Sequence, residues 1–230
     1  MRVLIDRVTG SGPTIGDLSS EELHDLYAIP SGPWLRVNFV NTVDGAATGA
    51  DGKSGTINNP ADKRVFDLLR SEADVIVIGA GTASTEGYEP ADQPIVVVTN
   101  RGTVPPTLTD APSGSLLIAT HGASPGLDAA RAAVGAGNVL VLGDHTVDLV
   151  ALKEALARRG FQNLLSEGGP TLFTQMLAAG VVDEVCTTTV PRLVAGDHVR
   201  IGHGMSVELS LQLRLLLEEE HSLIARWFTG

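Results

Sequence analysis

The sequence predicts an α/β fold in three layers, with a mainly parallel central β-sheet and an antiparallel hairpin at its C-terminal end. Continuous apolar runs such as residues 75–78 are typical of strands that helices cover on both faces. Amphipathic segments separate these runs along the chain, as in parallel sheets whose strands are joined by helices. The late runs 209–217 and 222–228 instead alternate between apolar and polar residues, which indicates an antiparallel hairpin.

The individual elements follow from local signals. Ser19 and Glu22 have the spacing of a capping box and predict a short helix that ends near Tyr27. The pair Asn58–Asn59 before Pro60 predicts the start of another helix, and a third is expected over residues 147–159. Strands are predicted at residues 34–40, 75–78, 95–98, 116–119, 139–142 and 184–190. We expect residues 1–33 to form an N-terminal extension and residues 34–230 to form the main domain.

Composition narrows the possible functions. The 230 residues are 43% hydrophobic, which is enough for one well-buried α/β domain. The 16 basic and 27 acidic residues give a net charge of −11, which disfavours binding to nucleic acids and to anionic membranes. The single cysteine and the spacing of the six histidines predict no metal site. With no signal peptide or transmembrane run in view, we expect a cytoplasmic protein.

Three loops at predicted strand ends are suited to an anionic ligand. Gly168 and Gly169 follow the apolar run 163–165 and precede a helical pattern, so they predict a strand, a tight turn and a helix N-terminus. The segment 79–82 places Gly79, Gly81 and Thr82 after a strand, and the segment 99–101 offers the side chains Thr99, Asn100 and Arg101. In an open α/β sheet such loops converge on one crevice. Each alone is equally compatible with a plain turn.

A long glycine-rich loop, residues 41–55, lies between a predicted strand and the helix that begins at Pro60. Loops of this length in compact domains are often lids or binding loops. Asp62 stands in the first turn of that helix. An acidic residue there can serve the helix dipole or contact a substrate, and the residues alone leave both roles open.

Taken together, several segments resemble the reductase domain of riboflavin biosynthesis. They are Val40-Asn41-Thr42-Val43-Asp44-Gly45, residues 62–70, residues 73–82, Glu167-Gly168-Gly169-Pro170-Thr171-Leu172, Val182-Asp183-Glu184 and Pro191-Arg192-Leu193. The resemblance runs from about Trp34 to the C-terminus. It implies a dihydrofolate-reductase-like fold, NADPH as the cofactor, a homodimer, and 5-amino-6-(5-phosphoribosylamino)uracil as the small-molecule substrate.

The resemblance also implies roles for particular residues. Asp62 and Glu167 are the candidate catalytic residues, and Asp62 is the first choice for contacting the substrate. The candidate cofactor-binding residues are Gly79, Gly81, Thr82, Thr99, Asn100, Arg101, Glu167, Gly168, Gly169, Pro170, Thr171 and Leu172. The candidate substrate-binding residues are Asn38, Asn41, Asp44, Lys53, Ser54, Asp62 and Arg64.

The chain departs from the family pattern at two places that bear on the substrate phosphate. Many members have a lysine where this chain has Asn38, and an arginine in the stretch that here is Glu86-Gly87-Tyr88-Glu89-Pro90. Two other functions stay open at this point. A dihydrofolate- or pterin-type reductase would use the same crevice with Asp62 on a flat heterocycle. A non-catalytic nucleotide-binding module would keep the glycine turns alone.

Overall fold

The computed structural model describes residues 1–14, 16–30 and 32–230, and at its centre lies one β-sheet with helices on both faces. The strands are β1 (Arg2–Asp6), β2 (Trp34–Thr42), β3 (Val75–Gly79), β4 (Ile95–Val98), β5 (Leu116–Thr120), β6 (Val139–Val141), β7 (Asn163–Gly168), β8 (Glu184–Val190), β9 (Gln212–Glu219) and β10 (Ser222–Phe228). The helices are α1 (Ser20–Tyr27), α2 (Pro60–Glu72), α3 (Ala80–Glu86), α4 (Leu127–Val134), α5 (Leu149–Arg158) and α6 (Pro170–Ala178).

The sheet has the order β1-β9-β10-β8-β2-β7-β3-β4-β5-β6. The strands from β8 to β6 in this order run parallel to one another, whereas β10, β9 and β1 form an antiparallel edge that pairs with β8. The predicted fold class, including the C-terminal hairpin, is therefore confirmed. The hairpin strand β9 begins at Gln212, three residues later than the alternating pattern indicated.

Burial on both faces explains the continuous apolar runs. In β3, Val75 and Val77 pack with residues of α5 and α6 on one face. Ile76 and Ile78 point to the other face, where they pack with residues of α3 and α4. Alternate residues of such a strand face the helix layers on opposite sides of the sheet. Both sets of side chains are therefore buried, so apolar residues fill the middle of these strands.

Local capping fixes the start of α2, the helix that carries Asp62. Asn59 is the N-cap of α2, and its side chain accepts a hydrogen bond from the Asp62 backbone N–H at 3.0 Å. Pro60 occupies the first turn, where a missing N–H costs nothing. The capping box of Ser19 and Glu22 at the start of α1 is also present, as predicted.

The segment before Trp34 contributes to the same sheet and helix layers. Strand β1 pairs with β9 and so forms one edge of the sheet. Buried residues of α1, among them Leu23 and Tyr27, pack with residues of α2. The division into an extension and a main domain stays a prediction, but the two parts share a core.

Candidate active site

A cleft of about 1140 Å³ runs along the carboxyl ends of strands β3, β4 and β7. It is lined by the predicted cofactor residues Gly79, Gly81, Thr82, Thr99, Asn100, Arg101, Gly169, Pro170, Thr171 and Leu172. The segment 79–82 was predicted as a loop, but most of it is helical, since helix α3 begins at Ala80. The convergence follows from topology, because parallel strands present all their carboxyl ends at one edge of the sheet.

The two glycines of the β7–α6 turn have different surroundings. Both have positive φ, +84° at Gly168 and +52° at Gly169. A Cβ on Gly169 would collide with the Thr82 hydroxyl in the cleft, whereas a Cβ on Gly168 would lie 2.6 Å from the Phe39 ring in the core. Gly168 therefore allows close packing beneath the turn. It does not line the cleft, so its position does not support the predicted direct contact with a cofactor. Gly169 is the glycine that opens the cleft.

The three predicted residues of the loop that follows β4 make different contacts. The Thr99 hydroxyl accepts a hydrogen bond from the Arg101 backbone N–H at 3.2 Å, and Asn100 Oδ1 accepts one from the Val147 backbone N–H at 3.0 Å. Thr99 and Asn100 thus shape the loop and join it to the start of α5. The Arg101 guanidinium is exposed at the cleft, which leaves it available for an anionic group.

A smaller cavity of about 110 Å³ adjoins the cleft. Of the predicted substrate and catalytic residues, Asn38, Ser54, Asp62 and Glu167 line it. The two spaces meet at five residues that line both of them, namely Thr48, Thr82, Glu86, Gly169 and Pro170. A ligand in the small cavity would therefore touch a ligand in the cleft at this place, which we call the junction.

Asp62 has an unusual environment for a carboxylate. The residue is 2% exposed, and its Oδ1 has no hydrogen-bond partner among the described residues. Burial raises the pKa of Asp62 above its ordinary value, and a hydrogen bond from Thr188 opposes that rise. Since a buried, unpaired oxygen is costly unless a ligand satisfies it, this carboxyl group is suited to bind a donor in the cavity or to hold a proton.

Glu167 lies in the same wall, and three hydrogen bonds from protein side chains hold its carboxylate. Arg70 Nε and Nη2 donate to its two carboxylate oxygens at 2.6 and 2.7 Å, and the Tyr88 hydroxyl donates to Oε2 at 2.5 Å. Glu167 lines the small cavity and does not line the cleft, so its position favours a ligand contact in that cavity, and its contact with the cofactor stays a prediction.

Four of the predicted substrate residues lie elsewhere. Arg64 donates to Leu18 O and to Glu219, and these contacts turn its guanidinium towards the N-terminal segment, so it is dropped from the substrate set. Asn41 donates to Thr42 O and to the Thr189 hydroxyl within the sheet.

Asp44 accepts hydrogen bonds from the Thr42 hydroxyl at 2.5 Å and from the Ala195 N–H at 2.7 Å. It therefore joins two loops and does not line the small cavity. Lys53 is exposed, and its neighbours Gly52 and Ser54 line the cleft and the small cavity respectively. In the chain, Lys53 thus stands between a residue of the cleft and a residue of the small cavity.

The two loops joined by Asp44 form a cover over the site. Residues 43–53 and residues 191–206 are connected by the hydrogen bonds Val43 N to Arg192 O at 3.0 Å and Ala47 N to Val199 O at 2.8 Å. From the cover, Thr48, Gly52, Val199 and Met205 line the cleft. The glycine-rich composition predicted the first loop as a binding loop, whereas in the second loop only Pro191-Arg192-Leu193 resembled the family, and no binding role was predicted for it.

Several other lining residues were missed by sequence reasoning. Asn58, Phe66, Glu86 and Tyr88 line the small cavity, and the segment 146–149 lines the cleft. Glu86 and Tyr88 lie in the stretch where the chain departs from the family pattern, whereas the other residue types are common on helices and loops, so only the fold identifies them. Among the described residues, no group of three or more His, Cys, Asp or Glu side chains could hold a metal ion. No helix in the described part of the chain is long and apolar enough to cross a membrane.

Comparison with known proteins places this geometry among pyrimidine reductases. The family model of the RibD C-terminal domain matches residues 33–221. A Methanothermobacter thermautotrophicus protein named 2,5-diamino-6-ribosylamino-4(3H)-pyrimidinone 5′-phosphate reductase is 33% identical over 83% of this chain and 94% of its own. An Archaeoglobus fulgidus protein of the same name is 31% identical over 71% of this chain and 83% of its own. The solved structure of a pyrimidine reductase-like protein from Corynebacterium diphtheriae has the same fold, with a TM-score of 0.73 at 23% identity over 86% of this chain and 92% of that one.

Proposed function

The chain belongs to the RibD C-terminal domain family, and we propose that it is an NADPH-dependent reductase of a ribosylaminopyrimidine 5′-phosphate. The observation that supports this function best is the junction between the cleft and the small cavity. Thr48, Thr82, Glu86, Gly169 and Pro170 line both spaces, so a cofactor in one and a substrate in the other would be in contact there. Transfer of a hydride requires such contact between the two reacting carbons.

The cleft fits a dinucleotide in its size and donors. Gly169 is held in a backbone conformation that only glycine adopts easily, and a side chain there would fill the space beside Thr82. The N-terminus of α6 follows directly and offers backbone N–H groups to a pyrophosphate. Arg101, which also lines the cleft, is suited to the 2′-phosphate that distinguishes NADPH from NADH. When bound, NADPH would supply the hydride.

The reaction needs one proton in addition to the hydride. Opening of the sugar ring of the glycosylamine gives an imine between C1′ and the exocyclic nitrogen. The hydride adds to C1′, the C=N double bond becomes a single bond, and the nitrogen takes up a proton. Asp62 is the candidate to hold or deliver that proton, because it is buried, its pKa is raised, and its Oδ1 has no hydrogen-bond partner among the described residues.

The small cavity also favours one heterocycle over another. Asp62, Glu86 and Glu167 are the charged side chains among the described residues that line it, and all three are carboxylates. A 2,5-diaminopyrimidinone presents a ring N–H beside an amino group, which can donate two hydrogen bonds to a carboxylate. The corresponding uracil places a carbonyl oxygen there. We therefore favour the diamino form over the uracil that the sequence resemblance suggested, with the phosphate near Lys53.

A pterin-type reductase is the second candidate, and one observation favours it. No lysine, arginine or histidine is found among the described residues that line the small cavity, so a flat heterocycle without a phosphate would also fit the charge of this site. It would use the same cleft and the same Asp62. Binding of NADPH without turnover of any heterocycle would instead favour a non-catalytic nucleotide-binding module.

The deciding experiment is NADPH oxidation with three compounds side by side. These are the 2,5-diaminopyrimidinone ribosyl phosphate, the 5-aminouracil ribosyl phosphate and dihydrofolate. The proposal predicts the highest kcat/KM with the diamino compound. Higher kcat/KM with dihydrofolate would establish the second candidate, and no turnover with any of the three would refute both.

We further propose a homodimer in the cytoplasm. Leu209, Leu211 and Leu223 are large apolar side chains that lie exposed near the antiparallel edge of the sheet, and such surfaces are often covered by a partner. Light scattering at micromolar concentration and fractionation of the source cells test the two parts of this proposal separately.

A further inference from the structure

Three hydrogen bonds hold the Glu167 carboxylate in the wall of the small cavity. Two come from the Arg70 guanidinium, one to each oxygen, and one comes from the Tyr88 hydroxyl. The Glu167 side chain is 3% exposed, whereas that of Arg70 is 30% exposed. A bidentate arginine fixes the plane of a carboxylate as well as its position, so Glu167 has little freedom to turn.

The partners of Glu167 are themselves fixed by stacking. The Arg70 guanidinium lies 4.5 Å from the centre of the Phe66 ring and 5.7 Å from that of Tyr88. Burial, together with the nearby charge of Glu167, raises the pKa of Tyr88 well above its ordinary value, so the phenol keeps its proton and acts as a donor. Phe66 and Tyr88 also line the small cavity, so the same group of side chains forms part of its wall.

Arg70 supplies a positive charge that the lining of the cavity lacks. Asp62, Glu86 and Glu167 all face this small space. Glu86 accepts a hydrogen bond from the Ser54 backbone N–H at 3.0 Å, and Asp62 has a free oxygen. Arg70 does not line the cavity but lines a surface pocket on the opposite side of the wall. It therefore compensates the charge of Glu167 without occupying space that a substrate needs.

The position of Glu167 along the chain connects this group with the reacting centre. Glu167 precedes Gly168 and Gly169 at the end of β7, and Gly169 is one of the junction residues. Arg70 belongs to α2, the helix that also carries Asp62. The two hydrogen bonds from Arg70 therefore tie the residue before the glycine turn to the helix of the candidate proton donor, and the third ties it to the segment after α3, which carries Tyr88.

We propose that Arg70 and Tyr88 are positioning residues, which fix the Glu167 carboxylate so that its remaining lone pair, on Oε1, accepts a hydrogen bond from a substrate amino or hydroxyl group in the small cavity. This inference rests on the proposed function. If the three hydrogen bonds served only to fasten β7 to α2 and to the segment after α3, their loss would lower stability and leave the kinetics of the folded enzyme unchanged.

The test compares Arg70→Met, Arg70→Lys and Tyr88→Phe with the control Lys63→Met, an exposed position on the same helix that pairs with Asp67. We expect Arg70→Met to raise KM for the diaminopyrimidinone substrate about tenfold to a hundredfold, as for loss of hydrogen bonds to a charged group. Arg70→Lys should recover part of this loss, since it restores the charge but not the bidentate geometry. Tyr88→Phe should have a smaller effect in the same direction.

The affinity for NADPH should stay within about twofold of wild type in all four variants, since Arg70 and Tyr88 do not line the cleft. Kinetics equal to wild type in Arg70→Met, whether or not its melting temperature falls, would overturn the inference.

A binding measurement separates failure of this inference from failure of the proposed function. The bare heterocycle 2,5,6-triaminopyrimidin-4-one is titrated into wild type and Arg70→Met by calorimetry, with and without NADP⁺. Wild type that binds it without turning over the phosphorylated compound would refute the proposed function, and loss of that binding in Arg70→Met would still support the positioning role. Equal binding by both proteins, or none by wild type, would overturn the inference.

Discussion

Arg36 and Glu184 lie directly opposite each other on strands β2 and β8, and Arg36 Nε donates to Glu184 Oε1 at 2.7 Å. The Arg226 side chain donates to the same oxygen at 2.7 Å, and all three side chains are at most 1% exposed. The two guanidiniums also donate to the carbonyls of Tyr27 and Leu26 at the end of α1. Burial alone would raise the pKa of Glu184, but the charges of Arg36 and Arg226 hold it below its ordinary value.

We therefore expect Glu184→Gln to destabilise the protein strongly. It would leave two buried guanidiniums without their shared counter-charge, a loss of about 3–5 kcal/mol in the free energy of unfolding. Urea denaturation measures this value. The exposed Glu154→Gln, which loses a surface pair with Arg158, should change it by about 0.5 kcal/mol or less. A similar small effect for Glu184→Gln would contradict the importance assigned to this network.

The same network predicts how stability depends on pH. Because the pKa of Glu184 is lower in the folded state, its contribution is present above the unfolded pKa, about 4.3 for glutamate. It is lost as the pH falls through the folded value. Glu184→Gln lacks this contribution, so the difference in melting temperature from wild type should shrink as the pH is lowered below about 4.

Asp62→Asn should lower activity and raise stability at neutral pH. The pKa of Asp62 is raised on folding, so the folded protein holds this proton more tightly than the unfolded chain does. Stability therefore falls as the pH rises from the unfolded value, about 3.9, through the folded one. Asparagine avoids this penalty. The variant should melt higher than wild type near pH 8 and similarly near about pH 3.

The kinetic half of this prediction separates the two roles considered for Asp62. If it contacts the substrate, Asp62→Asn should lose tenfold or more in kcat/KM, about 1.4 kcal/mol, with unchanged affinity for NADPH. If it serves only the helix dipole, turnover stays at the wild-type value and stability falls by a few tenths of a kcal/mol. Melting temperature, NADPH affinity and turnover are measured on the same preparation.

The two glycines of the β7–α6 turn should respond differently to alanine. Gly168→Ala puts an alanine at a positive φ, so we expect a loss of about 1–3 kcal/mol in the free energy of unfolding from backbone strain. The clash of its methyl group with the Phe39 ring should add a further loss. Gly169→Ala places it in the cleft beside Thr82 and should weaken NADPH binding as well. Gly137→Ala, with open space and no positive φ, is the control. Loss of NADPH affinity in folded Gly168→Ala equal to that in Gly169→Ala would argue against this distinction.

Arg101→Gln should abolish most of the preference for NADPH over NADH. Its guanidinium is exposed at the cleft, while Thr99 and Asn100 are used within the loop. Removal of a charged contact to the 2′-phosphate should cost about tenfold to a hundredfold in NADPH affinity and leave NADH affinity near its starting value. Calorimetric titration with both cofactors checks this, with the exposed Arg158→Gln as control. Equal losses for the two cofactors would place Arg101 elsewhere on the nucleotide.

The sequence by itself determined the fold class and most of the cleft. Runs such as residues 75–78, with apolar residues at every position, indicate strands covered on both faces, because only such strands lack a solvent side. Parallel strands bring their carboxyl ends together, so Gly79, Thr99 and Gly169 meet in one place once the strands are known. The cap and Pro60 likewise set the start of α2 and hence the place of Asp62.

Only the tertiary structure decided what each polar side chain faces. Nothing local distinguishes Arg64, bound to Leu18 O, from Arg70, six residues along α2, which holds Glu167. Nor does the Gly168–Gly169 pair reveal that one glycine packs on Phe39 and the other opens the cleft. The partners come from distant segments of the chain, as for Arg64 and Glu219, which are 155 residues apart. Sequence patterns report the periodicity of burial, whereas the pairing of charges depends on which elements the sheet order brings side by side.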